Sequence, residues 1–177
     1  MLREISLSNL TSQKTEVIRA IDELNSSNDT ENTLNIKLQS TSGSIPEALE
    51  VIEKIHTSKV DLATESSGEI SPAGLLIAAA GKPKNRKAHF STIFKLSDNT
   101  EEGKKGKSKD PYATCLIETL GGLRARKSEL IEIMNTQKFI TAIDAKRLKI
   151  LDDSGLVKNK YQPEKKKSTE NEVELAN

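Results

Sequence analysis

Leu34-Asn35-Ile36-Lys37-Leu38 alternates apolar and polar residues without a break, and Ser44-Ile45-Pro46-Glu47 opens a helix just beyond it. A period of two gives a strand with one apolar face. Ser44 and Glu47 have capping-box spacing, and a proline in the first helical turn lacks no needed donor. The same unit recurs on either side. Ile5 and Leu7 alternate as a first strand, and Ser12 is placed to cap a helix carrying Val17, Ile18, Ile21 and Leu24 at helical spacing. Polar residues from Asn25 to Thr33 end that helix. Ala48, Leu49, Ile52 and Ile55 form the stripe of the next one, and Val60, Leu62 and Ala63 mark another strand. Ser71-Pro72 then opens a short helix, Ala73 to Ala80, before alternation from Ala88 through Phe90 and Phe94 to Leu96. Strands alternating with helices over short links predict an α/β fold with right-handed crossovers and a largely parallel sheet.

Asp98 to Asp110 breaks this rhythm with glycine and lysine and reads as an exposed basic loop at 98–111. Residues 112–138 carry a long helical pattern whose weak point is Gly121-Gly122, since each interior glycine costs about 1 kcal/mol against alanine. Thr141 to Asp144 caps a last helix through Ala145 and Leu148, and 158–177 is a charged tail with almost nothing to bury. The 177 residues suit one domain, expected at 1–157. Only 3% are aromatic, so the core is aliphatic. A net charge of +1 gives no global reason to expect nucleic acid or an acidic membrane. Cys115 stands alone, which excludes an intramolecular disulfide and a four-cysteine zinc site. The N-terminus lacks the apolar core of a signal peptide, and the longest apolar run, Gly74 to Gly81, is too short for a membrane helix. A cytoplasmic protein without cofactor or metal is the expectation.

Two strand-to-helix turns carry the candidate chemistry. Gln39 to Ser44 exposes amides before a helix, where an oxyanion or other anion could be held, although an ordinary serine-capped turn is the simpler account. Gly68-Glu69-Ile70-Ser71-Pro72-Ala73-Gly74 places a serine where a nucleophile could stand. Pro72 argues against that role, because the residue after such a serine commonly donates its amide to the oxyanion, and proline has none. Ser71 followed by Pro72 is a good N-cap and first helical residue. The only histidines are His56, at a helix end, and His89, in the alternating segment. Gly103 to Ser108 lacks the spacing of a phosphate-binding loop and reads as a solvated lysine patch.

Taken together, the residues from about Leu2 to Val157 resemble the ClpP family, the proteolytic chamber of Clp proteases. Leu34 to Ser40 followed by Ser42-Gly43-Ser44 is similar to the family's strand and S-P-G-G-S turn. Gly68 to Gly81 is similar to its G-M-A-A-S-M-G-A-F-L-L-A-A-G helix, and Lys82 to Lys87 to the basic turn after it. Tyr112 to Met134 fits the long handle helix, and Phe139-Ile140-Thr141-Ala142 with Asp144-Ala145 the F-L/M-S-A-x-E-A box. The resemblance implies a ClpP/crotonase-like fold of repeated β-α units with a protruding handle helix.

The departures from the family pattern decide the functional expectation. Aligning Gly68 and Gly74 with the family glycines puts Pro72 at the nucleophilic serine, and counting onward puts Ser97 at the catalytic histidine. Asn135 to Lys138 replaces the longer segment that carries the aspartate. A one-residue slip brings Ser71 to the nucleophile position without restoring its partners. Ser42 stands at the first oxyanion glycine, so the amides around Ser42, Gly43 and Ala73 form at most a partial hole. The expectation is a non-catalytic, structural or regulatory subunit. The alternatives are a hydrolase with a relocated centre, Ser71 with His89, and a peptide- or anion-binding module. The resemblance implies face-to-face rings, by self-association or with an active ClpP-type subunit. Leu116, Leu120, Leu123, Leu130, Ile131 and Met134 of the handle are the expected contact. Met1 falls almost at the first strand, leaving no counterpart to the family's axial loops and arguing against the usual docking to a Clp ATPase.

Overall fold

The computed structural model describes residues 1–29, 31–97 and 111–155. The basic loop expected at 98–111 lies outside them except for Pro111, as does the tail at 158–177. The chain runs β1 (Leu2–Asn9), α1 (Leu10–Ser26), β2 (Thr33–Ser42), α2 (Ile45–His56), β3 (Asp61–Ser67) and β4 (Glu69–Ile70). It continues through α3 (Pro72–Ala79), β5 (Arg86–Ala88), β6 (Ile93–Lys95), α4 (Pro111–Gly122), α5 (Lys127–Thr136), β7 (Phe139–Thr141) and α6 (Ala142–Arg147).

A four-stranded parallel sheet, ordered β1-β2-β3-β5, forms the main layer. Ile5 and Leu7, then Leu34, Ile36 and Leu38, and Leu62 are buried on one of its faces. Helices α1 and α3 lie against the sheet, and α2 packs on both. The Ser44–Glu47 capping box forms as expected. The cap of α1 is Asn9 rather than Ser12: Asn9 Oδ1 accepts the Ser12 N–H at 3.2 Å, so the helix starts a turn earlier. Every residue of α3 is buried, which explains why it has no polar face. Gly74 makes this possible, since a Cβ there would stand 2.2 Å from Thr41 Oγ1 and 2.7 Å from Ile70 Cγ2.

A smaller sheet, ordered β4-β6-β7, pairs β4 with β6 in parallel and β6 with β7 in antiparallel fashion. The alternation from Ala88 to Leu96 is therefore not one strand. The His89 N–H and the Thr92 hydroxyl both donate to the Ser66 carbonyl, at 2.8 and 3.0 Å, and the chain turns there from one sheet to the other.

The helical pattern at 112–138 also divides. Ala125 N–H bonds Leu120 O at 2.9 Å and Arg124 N–H bonds Gly121 O at 3.1 Å. Arg124 takes a left-handed φ of 75°. These are the bonds of a Schellman stop, with arginine at the place glycine usually fills. Folding back, α4 packs on α3 and α5 on α4. Leu116, Leu120 and Leu130 are consequently fully buried in the chain's own core, and Leu123 and Met134 are partly buried against it. Only Ile131 of the six expected contact residues is exposed. A fully buried leucine contributes about 1.5–3 kcal/mol, which this chain gains without a partner.

The segment after α6 is pinned by a buried ion pair. Arg86 Nε donates to Asp152 Oδ2 at 3.0 Å and its terminal nitrogen to Oδ1 at 2.8 Å. Oδ2 also accepts the N–H groups of Lys84 and Arg86, at 2.8 and 3.1 Å. Burial alone would raise the Asp152 pKa, but the guanidinium and the two amides outweigh it and hold the carboxyl below its ordinary value.

Candidate functional site

The end of β2, the first residue of β4, the cap of α3 and the last residue of β6 enclose a cavity of about 170 Å³, lined by Thr41, Ser42, Gly43, Glu69, Ser71 and Lys95. Backbone pairing assembles it: the Ser71 N–H donates to Thr41 O at 3.1 Å, and Glu69 lies level with Ile93, two residues before Lys95. Lys95 forms an ion pair with Glu69 across the wall. The Ser71 oxygen accepts the Gly74 N–H at 3.2 Å as the N-cap of α3, and Pro72 follows as the first helical residue. Thr41 is buried, and its Oγ1 has no hydrogen-bond partner among the described residues.

The structure thus joins Ser42, Gly43 and Ser71 in one cleft but leaves the other expected residues outside its wall. Ala73 is buried in α3. Ser97 is half-buried beyond β6 and is likewise absent from the wall. His89 is not part of the wall that holds Ser71. Its Nδ1 lies 2.7 Å from Ser91 Oγ, and it lines a separate cavity with Lys87 and Asp153. The turn at Ser66 carries the histidine to the sheet's edge while Ser71 caps a buried helix, so the two residues of the alternative Ser71–His89 centre line separate cavities. His56 is exposed at the end of α2.

A serine nucleophile needs a base within hydrogen-bond reach. The cleft instead offers an ammonium already paired with a carboxylate, so Lys95 acts there as a cationic donor. Only Gln137 and Lys138 separate α5 from β7. Among the described residues no group of three histidine, cysteine or acidic side chains is placed to hold a metal, and no helix is long and apolar enough to cross a membrane. The Glu69–Lys95 pair was not singled out from the sequence. Its signal, a carboxylate inside the Gly68–Gly74 turn, acquires meaning only once β4 pairs with β6.

A parallel sheet backed by helices, with a small second sheet closing a strand-to-helix cleft, defines an α/β architecture of the ClpP catalytic-domain type. The catalytic domain of the ClpP protease from Plasmodium falciparum superposes with a TM-score of 0.65 at 18% identity, over 85% of this chain and 83% of that one. Likeness at this identity establishes the fold. A sequence model described as Clp protease matches residues 3–110, and the chain belongs to the Clp protease family. No curated protein matches it at a significant level.

Proposed function

We propose that the chain is a non-catalytic member of its family, a structural or regulatory ring-forming component acting in the cytoplasm, alone or beside active ClpP-type subunits. The observation that carries this reading is the content of the cleft. Pro72 stands where the resemblance places the nucleophile, the neighbouring Ser71 oxygen is engaged as a helix cap, and the wall holds an ion pair and no histidine. Removing triad members leaves weak residual catalysis at best.

Assembly is supported by apolar surface other than the handle leucines. Ile93 and Phe139 are diagonal neighbours on the exposed face of the small sheet, 41% and 57% exposed, and Ile143 at 50% follows in α6. Such neighbours are within reach of an aromatic side chain, and exposed large apolar residues grouped on one side favour a contact surface. Native mass measurement of the chain, alone and mixed with an active ClpP from the same cell, tests the proposal together with turnover of a fluorogenic peptide. The expected result is a multimer or mixed ring with no turnover by the chain alone. A monomer in both samples, or robust turnover, overturns it.

A further inference from the structure

Three exposed basic residues stand where the backbone favours glycine. Lys84, Arg124 and Lys149 have left-handed φ angles of 78°, 75° and 62°. Each angle is fixed by a turn. The Asn85 N–H donates to Lys82 O at 2.9 Å, which makes Pro83 and Lys84 the central residues of a type II turn. Arg124 fills the stop of α4. Lys149 fills that of α6, where the Ile150 N–H bonds Ala145 O at 2.9 Å and the Lys149 N–H bonds Lys146 O at 3.0 Å. Glycine takes such angles without strain, whereas a residue with a side chain gives up stability to do so. Among the described residues the one other non-glycine with positive φ is Ser40. Attraction of a cation to a helix C-terminus accounts in part for Arg124 and Lys149, but Lys84 belongs to no helix. Strain of this kind gathers at functional sites.

The three turns meet around Arg86. The Lys84 N–H donates at 2.8 Å to the Asp152 carboxylate that binds Arg86, and the Arg86 guanidinium donates to Lys149 O at 3.2 Å. The Arg126 N–H donates to Leu148 O at 2.9 Å, and Arg124 shares the wall of a cavity of about 240 Å³ with Arg86, Lys82 and His56. Among the described residues no carboxylate lines that cavity. Lys82 is paired with Asp61 and Arg86 with Asp152, but the side chains of Lys84, Arg124 and Lys149 have no ion pair or hydrogen bond among the described residues. Elsewhere Arg3, Lys14, Lys37 and Lys54 are each matched by a carboxylate.

None of the exposed large apolar or aromatic residues belongs to these turns. The surface therefore offers a protein partner no apolar anchor and a nucleobase nothing to stack on. The whole chain carries a net charge of only +1, so a nucleic-acid duplex would run beyond the turns over surface whose charges are already matched. A compact ligand recognised by charge alone, at several linked points, remains.

We propose that Lys84, Arg124 and Lys149 form a binding surface for a short inorganic polyphosphate, whose linked phosphates engage separate cations that a single phosphate cannot bridge. None of these residues belongs to the wall of the Ser71 cleft, so the inference does not depend on the loss of catalysis there.

Titration calorimetry of the full chain with tripolyphosphate at low salt tests it, with orthophosphate, a glutamate oligomer and a short DNA duplex in separate arms. Saturable binding of tripolyphosphate is expected, weakening as salt is raised. Each exposed charge should contribute about two- to fivefold, so the triple variant Lys84→Gly, Arg124→Gly, Lys149→Gly should bind roughly tenfold or more weakly. Its thermal midpoint should equal or exceed that of wild type, because glycine relieves the left-handed backbone. The corresponding glutamine triple keeps the strain, loses the same charges and should bind as weakly. Lys138→Ala, which removes an exposed cation just before β7, should leave binding unchanged. Absence of saturable heat with tripolyphosphate, equal affinity for any of the other three anions, undiminished binding by both triple variants, or earlier melting of the glycine triple overturns the proposal.

Discussion

Replacing Asp152 with asparagine removes the charge that neutralises Arg86 while keeping the side chain's shape. The Arg86 side chain is 8% exposed and Asp152 24%, so the guanidinium would be left buried against an amide. An asparagine offers one acceptor oxygen where the carboxylate uses two, and its amide would point N–H groups at the guanidinium. Breaking a buried pair from one side costs about 3–5 kcal/mol, and the partial exposure of Asp152 places this case near 3. With urea slopes of about 1–3 kcal/mol/M, the unfolding midpoint should fall by roughly 1–3 M. The folded-state pKa of Asp152 lies below its unfolded value, taken as 3.8. Its stabilisation is therefore fully present above that pH and is lost as pH falls through the folded value. The gap between wild type and variant should be constant near neutrality and close under acid. Replacing both partners, Arg86→Met with Asp152→Leu, should recover only part of the loss, because the Lys84 and Arg86 N–H groups lose the acceptor that Asp152 supplies. Equal midpoints for wild type and Asp152→Asn at pH 7, or a gap that persists undiminished in acid, would refute the reasoning.

Ser71→Ala should cost about 0.5–2 kcal/mol through loss of the cap to the Gly74 N–H, while the assembled mass stays unchanged; loss of assembly without loss of stability would count against it. Phe139→Asp should lower the assembled mass in native spectrometry and leave the circular dichroism of the domain intact, because it sets a charge in an exposed apolar patch. An unchanged mass would move the contact elsewhere.

What the sequence disclosed follows from how local each signal is. The strict alternation at Leu34 to Leu38 and the cap signals at Ser44, Ser71 and Thr141 are written into neighbouring residues, and each appears where expected. Ala88 to Leu96 misled because the turn is fixed from outside, by the Ser66 carbonyl on another strand. The handle pattern misled differently. Gly121-Gly122 marked the weak point, but the left-handed residue is Arg124, and an apolar helix face does not declare whether its own domain or a partner will cover it. Ser42, Gly43 and Ser71 were legible as two separate turns, yet Glu69 facing Lys95 exists only through strand register.

The central claim is that the cleft at Ser71 has no working nucleophile. A serine-reactive fluorophosphonate reports this directly, since it bonds covalently only to a serine oxygen made nucleophilic by its surroundings. Intact-mass spectrometry after prolonged exposure should show the unmodified chain, alone and in any assembly it forms. A stoichiometric adduct mapping to Ser71, absent in Ser71→Ala, would contradict the account.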